Sequence, residues 1–148
     1  MNPISKNSAN SLKLFVVLTR ALQSIEKQVT KDIKSHGLNL TEFSVLELLY
    51  HKGEQPIQRI GQKILLASSS ITYVVDKLEK KEYLGRKACP NDRRVTYASI
   101  TEKGSKLMDD IFPKHIEAMD EILAGLDSDE KENMIEQLKK LGYHAQDL

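Results

Sequence analysis

The stretch CPNDRRVTYASITEKG, Cys89 to Gly104, decides how this chain is read. Pro90, Asn91 and Asp92 are turn formers. Five residues from Val95 to Ser99 then alternate apolar with polar or small side chains, the period of a strand. Thr101 follows as a helix cap. Upstream, LGRKAC at 84–89 reads as a partner strand, so PNDRR at 90–94 connects a hairpin with Arg93 and Arg94 at its tip.

Working outward, SSSITYVVDKLEKKEYL at 68–84 is predicted to be a helix capped by Ser68. Ile71, Val74, Val75 and Leu78 recur at i, i+3, i+4 and i+7 and form its inner face. The opposite face carries Ser69, Ser70, Thr72, Tyr73, Asp76, Lys77 and Lys80. IQRIGQKILLA at 57–67 is a short helix with Ile57, Ile60, Ile64 and Leu65 inward, and Gly61 lets another helix approach closely. Before it, LNLTEFSVLELLYHKGEQP at 38–56 predicts a helix capped by Thr41, ended at Lys52-Gly53 and broken at Pro56. Leu12, Phe15, Leu18, Leu22, Ile25, Val29 and Ile33 mark one stripe on a long helix from about 11 to 35, stopped by Gly37, with residues 1–10 expected to be disordered. A stripe of this length suits packing against another long helix, often from a second subunit. After the hairpin, Leu107, Ile111, His115, Ala118 and Ile122 lie on a helix that Pro113 should kink near Phe112. Asp127 and Glu130 pair as a capping box for a last helix presenting Met134, Leu138 and Leu141.

Composition narrows the function classes. A chain of 148 residues suits one domain with appended helices. With 40% hydrophobic and 29% charged residues it has an ordinary soluble composition. No apolar run approaches a bilayer span and the N-terminus lacks a signal-peptide pattern, so a cytoplasmic protein without membrane association is expected. The single cysteine, Cys89, excludes an internal disulfide and a cysteine-based zinc site. His36, His51, His115 and His144 are scattered, so neither a metal nor a cofactor is expected. No phosphate loop, nucleophile elbow or paired-carboxylate site is present, which argues against an enzyme. The total charge is only +1, but nine basic and four acidic residues between Arg59 and Arg94 give that segment +5 and leave −4 elsewhere. A basic middle in a neutral body fits a nucleic-acid face.

The order long helix, helix, short helix, helix, hairpin, helix, helix describes a mainly α fold with a small β-hairpin wing, a winged helix-turn-helix. One helix fills the major groove of a duplex, and its N-terminal residues reach base edges. Short hydroxyls there let the backbone come close, and the helix dipole favours a phosphate. A wing-tip arginine suits the narrow minor groove, where the negative potential is strongest.

SSSITYVVDKLEKKEYLGR followed by PNDRRVTYASITEKG resembles the MarR family of bacterial transcriptional regulators, in its Asp-Arg-Arg wing, its Thr-Glu-Lys-Gly helix opening and its Leu-Glu-Lys-Lys helix end. The match runs from about 11 to 141. The resemblance implies a homodimer built on helices in 1–36 and 102–148, with 37–101 as the DNA-binding region. It implies a repressor of stress or detoxification genes, bound to a near-palindromic operator in double-stranded DNA and released by a small phenolic or quinone-like ligand or an oxidant. By motif position, Asp92 braces the wing, Arg94 enters the minor groove and Arg93 meets phosphate. Ser68, Ser69, Ser70, Thr72, Tyr73 and Lys77 form the major-groove set. Beside the wing motif, the run Lys77, Lys80 and Lys81 reads as phosphate contacts, the alternative being a solvated face. Three departures stand out. Tyr73 occupies a position where the family often has Arg, Glu82 one where it usually has Gly, and Cys89-Pro90 replaces the more usual Asp-Pro leading into the wing.

Phe15, Phe43, Tyr50 and His51 are candidates for the aromatic-ligand pocket that such regulators keep between dimer and DNA-binding regions; aromatic residues at helical spacing serve equally as core. Cys89 is a redox candidate, because nearby cations favour a reactive thiolate; the alternative is a small residue at a strand end. The rival to a DNA-binding regulator is a winged-helix protein-docking module, which would expose apolar anchors where this chain exposes hydroxyls and lysines.

Overall fold

The computed structural model describes residues 3–64 and 70–148. The elements run α1 (Lys6–Ser35), α2 (Leu40–Lys52), β1 (Gln55–Pro56), α3 (Ile57–Lys63), α4 (Ile71–Lys80), β2 (Leu84–Ala88), β3 (Thr96–Ile100), α5 (Glu102–Ile122) and α6 (Ser128–Gln146).

Helix α1 begins earlier than its apolar stripe suggests. Ser5 caps it by accepting from the Ser8 N–H, so residues 6–10 are helical rather than disordered. It ends at Gly37, which takes φ +83°. Helix α2 is capped by Asn39, not Thr41. Asn39 and Glu42 stand three apart and satisfy each other's backbone N–H groups, while Thr41 is already buried in the first turn. The box at Asp127 and Glu130 starts α6 in the same way. Helix α5 continues through Pro113 without interruption.

The sheet has a third strand beyond the hairpin. Strand β3 lies in the middle, paired antiparallel to β2 along its length and to the two residues of β1 at Gln55↔Ala98 and Pro56↔Tyr97. Pro56 can occupy this place because β1 is an edge strand.

The core gathers one face from each of the first five helices around the sheet. Ile33 of α1, Phe43, Val45, Leu46 and Leu49 of α2, Ile60 of α3, Val74, Val75 and Leu78 of α4, Leu84 and Ala98 of the sheet, and Met108 and Ile111 of α5 are all buried. Gly61 admits α4 closely, since a Cβ there would sit 3.2 Å from Ile71 Cγ1. At Gly104 the approach is tighter. A Cβ would fall inside contact distance of the Tyr83 carbonyl and 2.8 Å from Ile100 Cγ1. The Thr-Glu-Lys-Gly opening therefore acts twice, with Thr101 capping the Gly104 N–H and Gly104 letting α5 rest on the α4–β2 turn.

The two ends of the chain contrast with this core. Leu12, Leu14, Phe15, Val16, Val17 and Leu22 on α1, and Met134, Ile135, Leu138 and Leu141 on α6, are exposed. Helix α6 buries none of its residues. No helix among the described residues is long and apolar enough to cross a membrane.

Candidate nucleic-acid interface

Helix α4 buries Val74, Val75 and Leu78 and turns Ser70, Thr72, Tyr73 and Lys80 to solvent. Tyr73 is 65% exposed, large for an aromatic ring on a helix otherwise packed on its core. Ser70 is the N-cap, and its side chain makes no capping hydrogen bond. Ser68, expected as the cap, and Ser69 lie outside the described residues.

The helix ends in a Schellman motif. The Tyr83 N–H reaches the Leu78 carbonyl at 3.0 Å and the Glu82 N–H reaches the Glu79 carbonyl at 2.9 Å. Glu82 occupies the left-handed position, φ +66°, where glycine is the usual residue. The backbone thus closes in the ordinary way despite the substitution, at the cost of strain.

The basic character read from the sequence is partly spent on internal pairs. Lys81 Nζ lies 3.0 Å and Lys77 Nζ 3.8 Å from Glu42 Oε2, whose side chain is 3% exposed. Glu42 therefore serves twice, capping α2 with Oε1 and anchoring α4 with Oε2. Arg86 of β2 donates to Glu79 at 2.7 Å and to Asp76. These bonds, the one to Asp76 foremost, hold its guanidinium above the ordinary arginine value despite partial desolvation. Lys80, Lys87 and Arg93 have no ion-pair partner among the described residues.

At the wing tip the Cys89 N–H bonds the Val95 carbonyl at 3.0 Å, closing the hairpin one step past β2. The Cys89 side chain is half-buried at this root. Asp92 Oδ1 accepts from the Arg94 N–H at 3.0 Å and from Arg94 Nε at 3.1 Å, and Asp92 Oδ2 accepts from Nη2 at 3.3 Å. The bonds from Arg94, side chain first, pull the Asp92 carboxyl below its ordinary value. Arg94 itself is 90% exposed. Gln58 Nε2 of α3 donates to the Arg94 carbonyl at 3.1 Å and ties the tip to the helix-turn-helix.

The four ligand candidates separate. His51 lines an open cleft of about 530 Å³ with Ser44, Leu48, Lys63, Ile64 and Phe112. The His51 and Phe112 rings stand 4.6 Å apart, and Tyr50 lies against both. Tyr50 also donates to Asp109, which links α2 to α5 and raises the phenol above its ordinary value. Phe43 is core, 4.6 Å from the His115 ring. Phe15 is 72% exposed on α1 and is not part of the cleft. Phe112, Lys63, Arg86 and Glu42 join the site in the fold, although no local motif in the sequence marks them. Two histidines scattered in sequence also meet at one carboxylate. Asp32 Oδ2 is hydrogen-bonded to His115 Nδ1 at 2.9 Å, joining α1 to α5, and Asp32 Oδ1 lies 3.4 Å from His36 Nε2, which makes no hydrogen bond among the described residues. No metal-holding cluster occurs among the described residues.

Comparison with known proteins places this arrangement. The model of the MarR family matches residues 38–96, from the start of α2 through the wing tip. The HTH-type transcriptional regulator MhqR of Bacillus subtilis is 62% identical over 135 residues, covering 91% of this chain and 93% of that protein. Among solved structures, Sco3205 of Streptomyces coelicolor, a MarR family regulator in complex with DNA, superposes with a TM-score of 0.81 at 16% identity, covering 96% of this chain and 89% of that one. Bordetella bronchiseptica BpsR, described as regulated in its DNA binding by 6-hydroxynicotinic acid, superposes with a TM-score of 0.76 at 21% identity, covering 88% and 98%. These two likenesses concern the fold. The identity to MhqR spans nearly the full length of both chains, and the chain belongs to the MarR family of DNA-binding transcriptional regulators, which are not enzymes.

Proposed function

We propose that this chain acts as a homodimeric repressor that reads a near-palindromic operator with α4 in the major groove and the wing in the flanking minor groove. The observation that carries the reading is a shared surface. Helix α4 exposes Ser70, Thr72, Tyr73 and Lys80, and Arg93 and Arg94 stand exposed on a hairpin locked to that same helix through Arg86. Thr72 and Tyr73 are the base-edge candidates. Without Arg at position 73 the bidentate reading of guanine is lost, and the ring suits a thymine methyl or a phosphate. Lys77, drawn toward Glu42, remains exposed enough to reach phosphate alongside Lys80. Ser68 and Ser69 belong to the same proposed set.

The dimer reading rests on α6. A helix that buries nothing in its own chain gains no tertiary packing from it, and isolated helices of this length are marginal in water. A second copy would cover its apolar face and that of α1, so that 1–36 and 102–148 form the dimer region and 37–101 the DNA-binding region. Two copies related by a two-fold axis then match two half-sites. A dimer seated across a promoter excludes polymerase, which makes repression the direct consequence.

The cleft beside His51 and Phe112 fits a small aromatic effector, with the ring edges as stacking partners and Lys63 as a cation for a phenolate or quinone oxygen. It lies between α2, the end of α3 and α5, so a ligand there bears on the elements that carry α4. The compound named for BpsR is likewise a small hydroxylated aromatic. Oxidation at Cys89 would act instead on the wing root.

The test begins with selection of binding sites from a random duplex pool. The selected duplex is then titrated against random competitor, with and without a panel of phenols and quinones, for the wild type and Cys89→Ser. Enriched inverted half-sites, and release by one compound that persists in Cys89→Ser, support the cleft. Release abolished in Cys89→Ser moves the signal to the thiol. No enrichment of any site refutes the operator reading and favours a docking module.

A further inference from the structure

We propose that Arg86 is a positioning residue for DNA binding, fixing the wing against α4 and cancelling the charge of two carboxylates on the DNA-reading helix; this rests on the DNA-binding role proposed above.

The local geometry explains why the residue must be arginine. Arg86 stands opposite Ala98 in the β2–β3 register, and directly opposed residues point to the same face of a sheet. Ala98 is completely buried, so the Arg86 stem leaves β2 on the side that packs on the helices, with its side chain still 30% exposed at the edge of that face, while Lys87 points away. Asp76 and Glu79 are three residues apart on α4 and so share a face. One guanidinium meets both with different nitrogens, Nη2 on Asp76 and Nη1 on Glu79. A lysine carries a single point charge and cannot hold this fork.

The placement gives the clamp its consequence. Asp76 lies one turn from Thr72 and next to Lys77 on the helix proposed to enter the groove. Two uncompensated carboxylates there would repel phosphate, opposing the neutralisation that drives such binding. Arg86 also belongs to the hairpin that carries Arg94. The base of the hairpin is held by the β1–β3 pairing and by Leu84 and Ala98 in the core; Arg86 adds an ionic tie to α4 and Gln58 ties the tip. Removal of Arg86 therefore acts on both the charge of α4 and the angle of the wing.

The experiment compares the wild type with Arg86→Met, Arg86→Lys and the triple variant Asp76→Asn/Glu79→Gln/Arg86→Met. Fluorescence anisotropy is measured on a duplex selected from a random pool by the wild-type protein, from low to high salt, with circular-dichroism melts alongside. Arg86→Met is expected to keep its fold and to bind about tenfold more weakly at low salt. The deficit should shrink as salt screens the freed carboxylates. Arg86→Lys should recover part of it, and the triple variant should recover the salt-dependent part. Wild-type affinity and salt slope in Arg86→Met would overturn the inference. So would a deficit that is independent of salt and persists in the triple variant, since that marks a purely structural role. Failure of the wild type to select or bind any duplex would instead overturn the proposed function beneath it.

Discussion

Replacing Gly104 with alanine adds one methyl group where α5 lies on the α4–β2 turn. That methyl would enter the van der Waals envelope of the Tyr83 carbonyl oxygen and sit 2.8 Å from Ile100 Cγ1. The Ile100 side chain can give way, but the backbone carbonyl is held by the Thr101 N–H at 3.0 Å, and the neighbouring Glu82 carbonyl accepts from Thr101 Oγ1 at 2.6 Å. Relief requires α5 to lift by about an ångström, which breaks these bonds. Overpacking of this kind costs about 1–3 kcal/mol. Two weakened hydrogen bonds add roughly 1 kcal/mol each. The helix propensity of alanine returns about 1 kcal/mol. The net destabilisation is about 2–4 kcal/mol, and at about 2–4 °C per kcal/mol the midpoint should fall by roughly 5–15 °C. The assay is a circular-dichroism melt at fixed protein concentration, because assembly contributes to the midpoint. Gly61→Ala is the internal control. Among the described residues its Cβ meets only the Ile71 side chain at 3.2 Å, which can move, so its midpoint should stay near the wild type. Equal midpoints for Gly104→Ala and the wild type would refute the close approach of α5 to the turn.

Three further outcomes follow from the same geometry. Glu82→Gly relieves the left-handed strain at φ +66° and should stabilise by about 0.5–1 kcal/mol once the greater freedom of the unfolded chain is offset, raising the midpoint by a few degrees in the same melt. Asp92→Asn removes the ionic brace on Arg94 and should weaken DNA binding in anisotropy. Because the Asp92 carboxyl titrates below its ordinary value, the brace is complete above that value and fades only as pH falls through the lowered one. The gap between Asp92→Asn and the wild type should therefore be constant from about pH 6 to 8, and a gap that closes within that window would contradict the brace. Leu138→Asp places a charge on the unpartnered face of α6, and light scattering should show a monomer with the core intact; an unchanged dimer would place the interface elsewhere.

The legible parts of this fold are those written in local pattern. The hairpin can be bounded to within a residue: the sequence pattern ends one strand at Cys89 and starts the next at Val95, with Pro90 to Asp92 between, and the strands run to Ala88 and from Thr96. The inner face of α4 follows from spacing alone. Strand β1 is not legible, since two residues carry no alternation and Pro56 reads as a break. Thr41 resembles a cap in sequence, but the reciprocal Asn39–Glu42 pair begins two residues earlier and competes successfully. The site shows the same division. Asp92 and Arg94 are two residues apart and can be paired on paper, whereas Arg86 meets Asp76 and Glu79 only once β2 folds back on α4. Glu42 reaches Lys81 across 39 positions, and neither residue signals the other. Phe112 reads in sequence only as the place of a proline kink, and no local pattern marks it as a residue lining the cleft.

Whether α4 and the wing together form the DNA-reading surface is tested most directly by Arg94→Ala. Binding of wild type and variant to a selected duplex should be measured by anisotropy across a range of salt concentrations. Arg94→Ala should bind more weakly, with a slope of log K against log salt that is shallower by about 0.9 for each phosphate it no longer neutralises. The same affinity and the same slope in both proteins would contradict a DNA-reading wing.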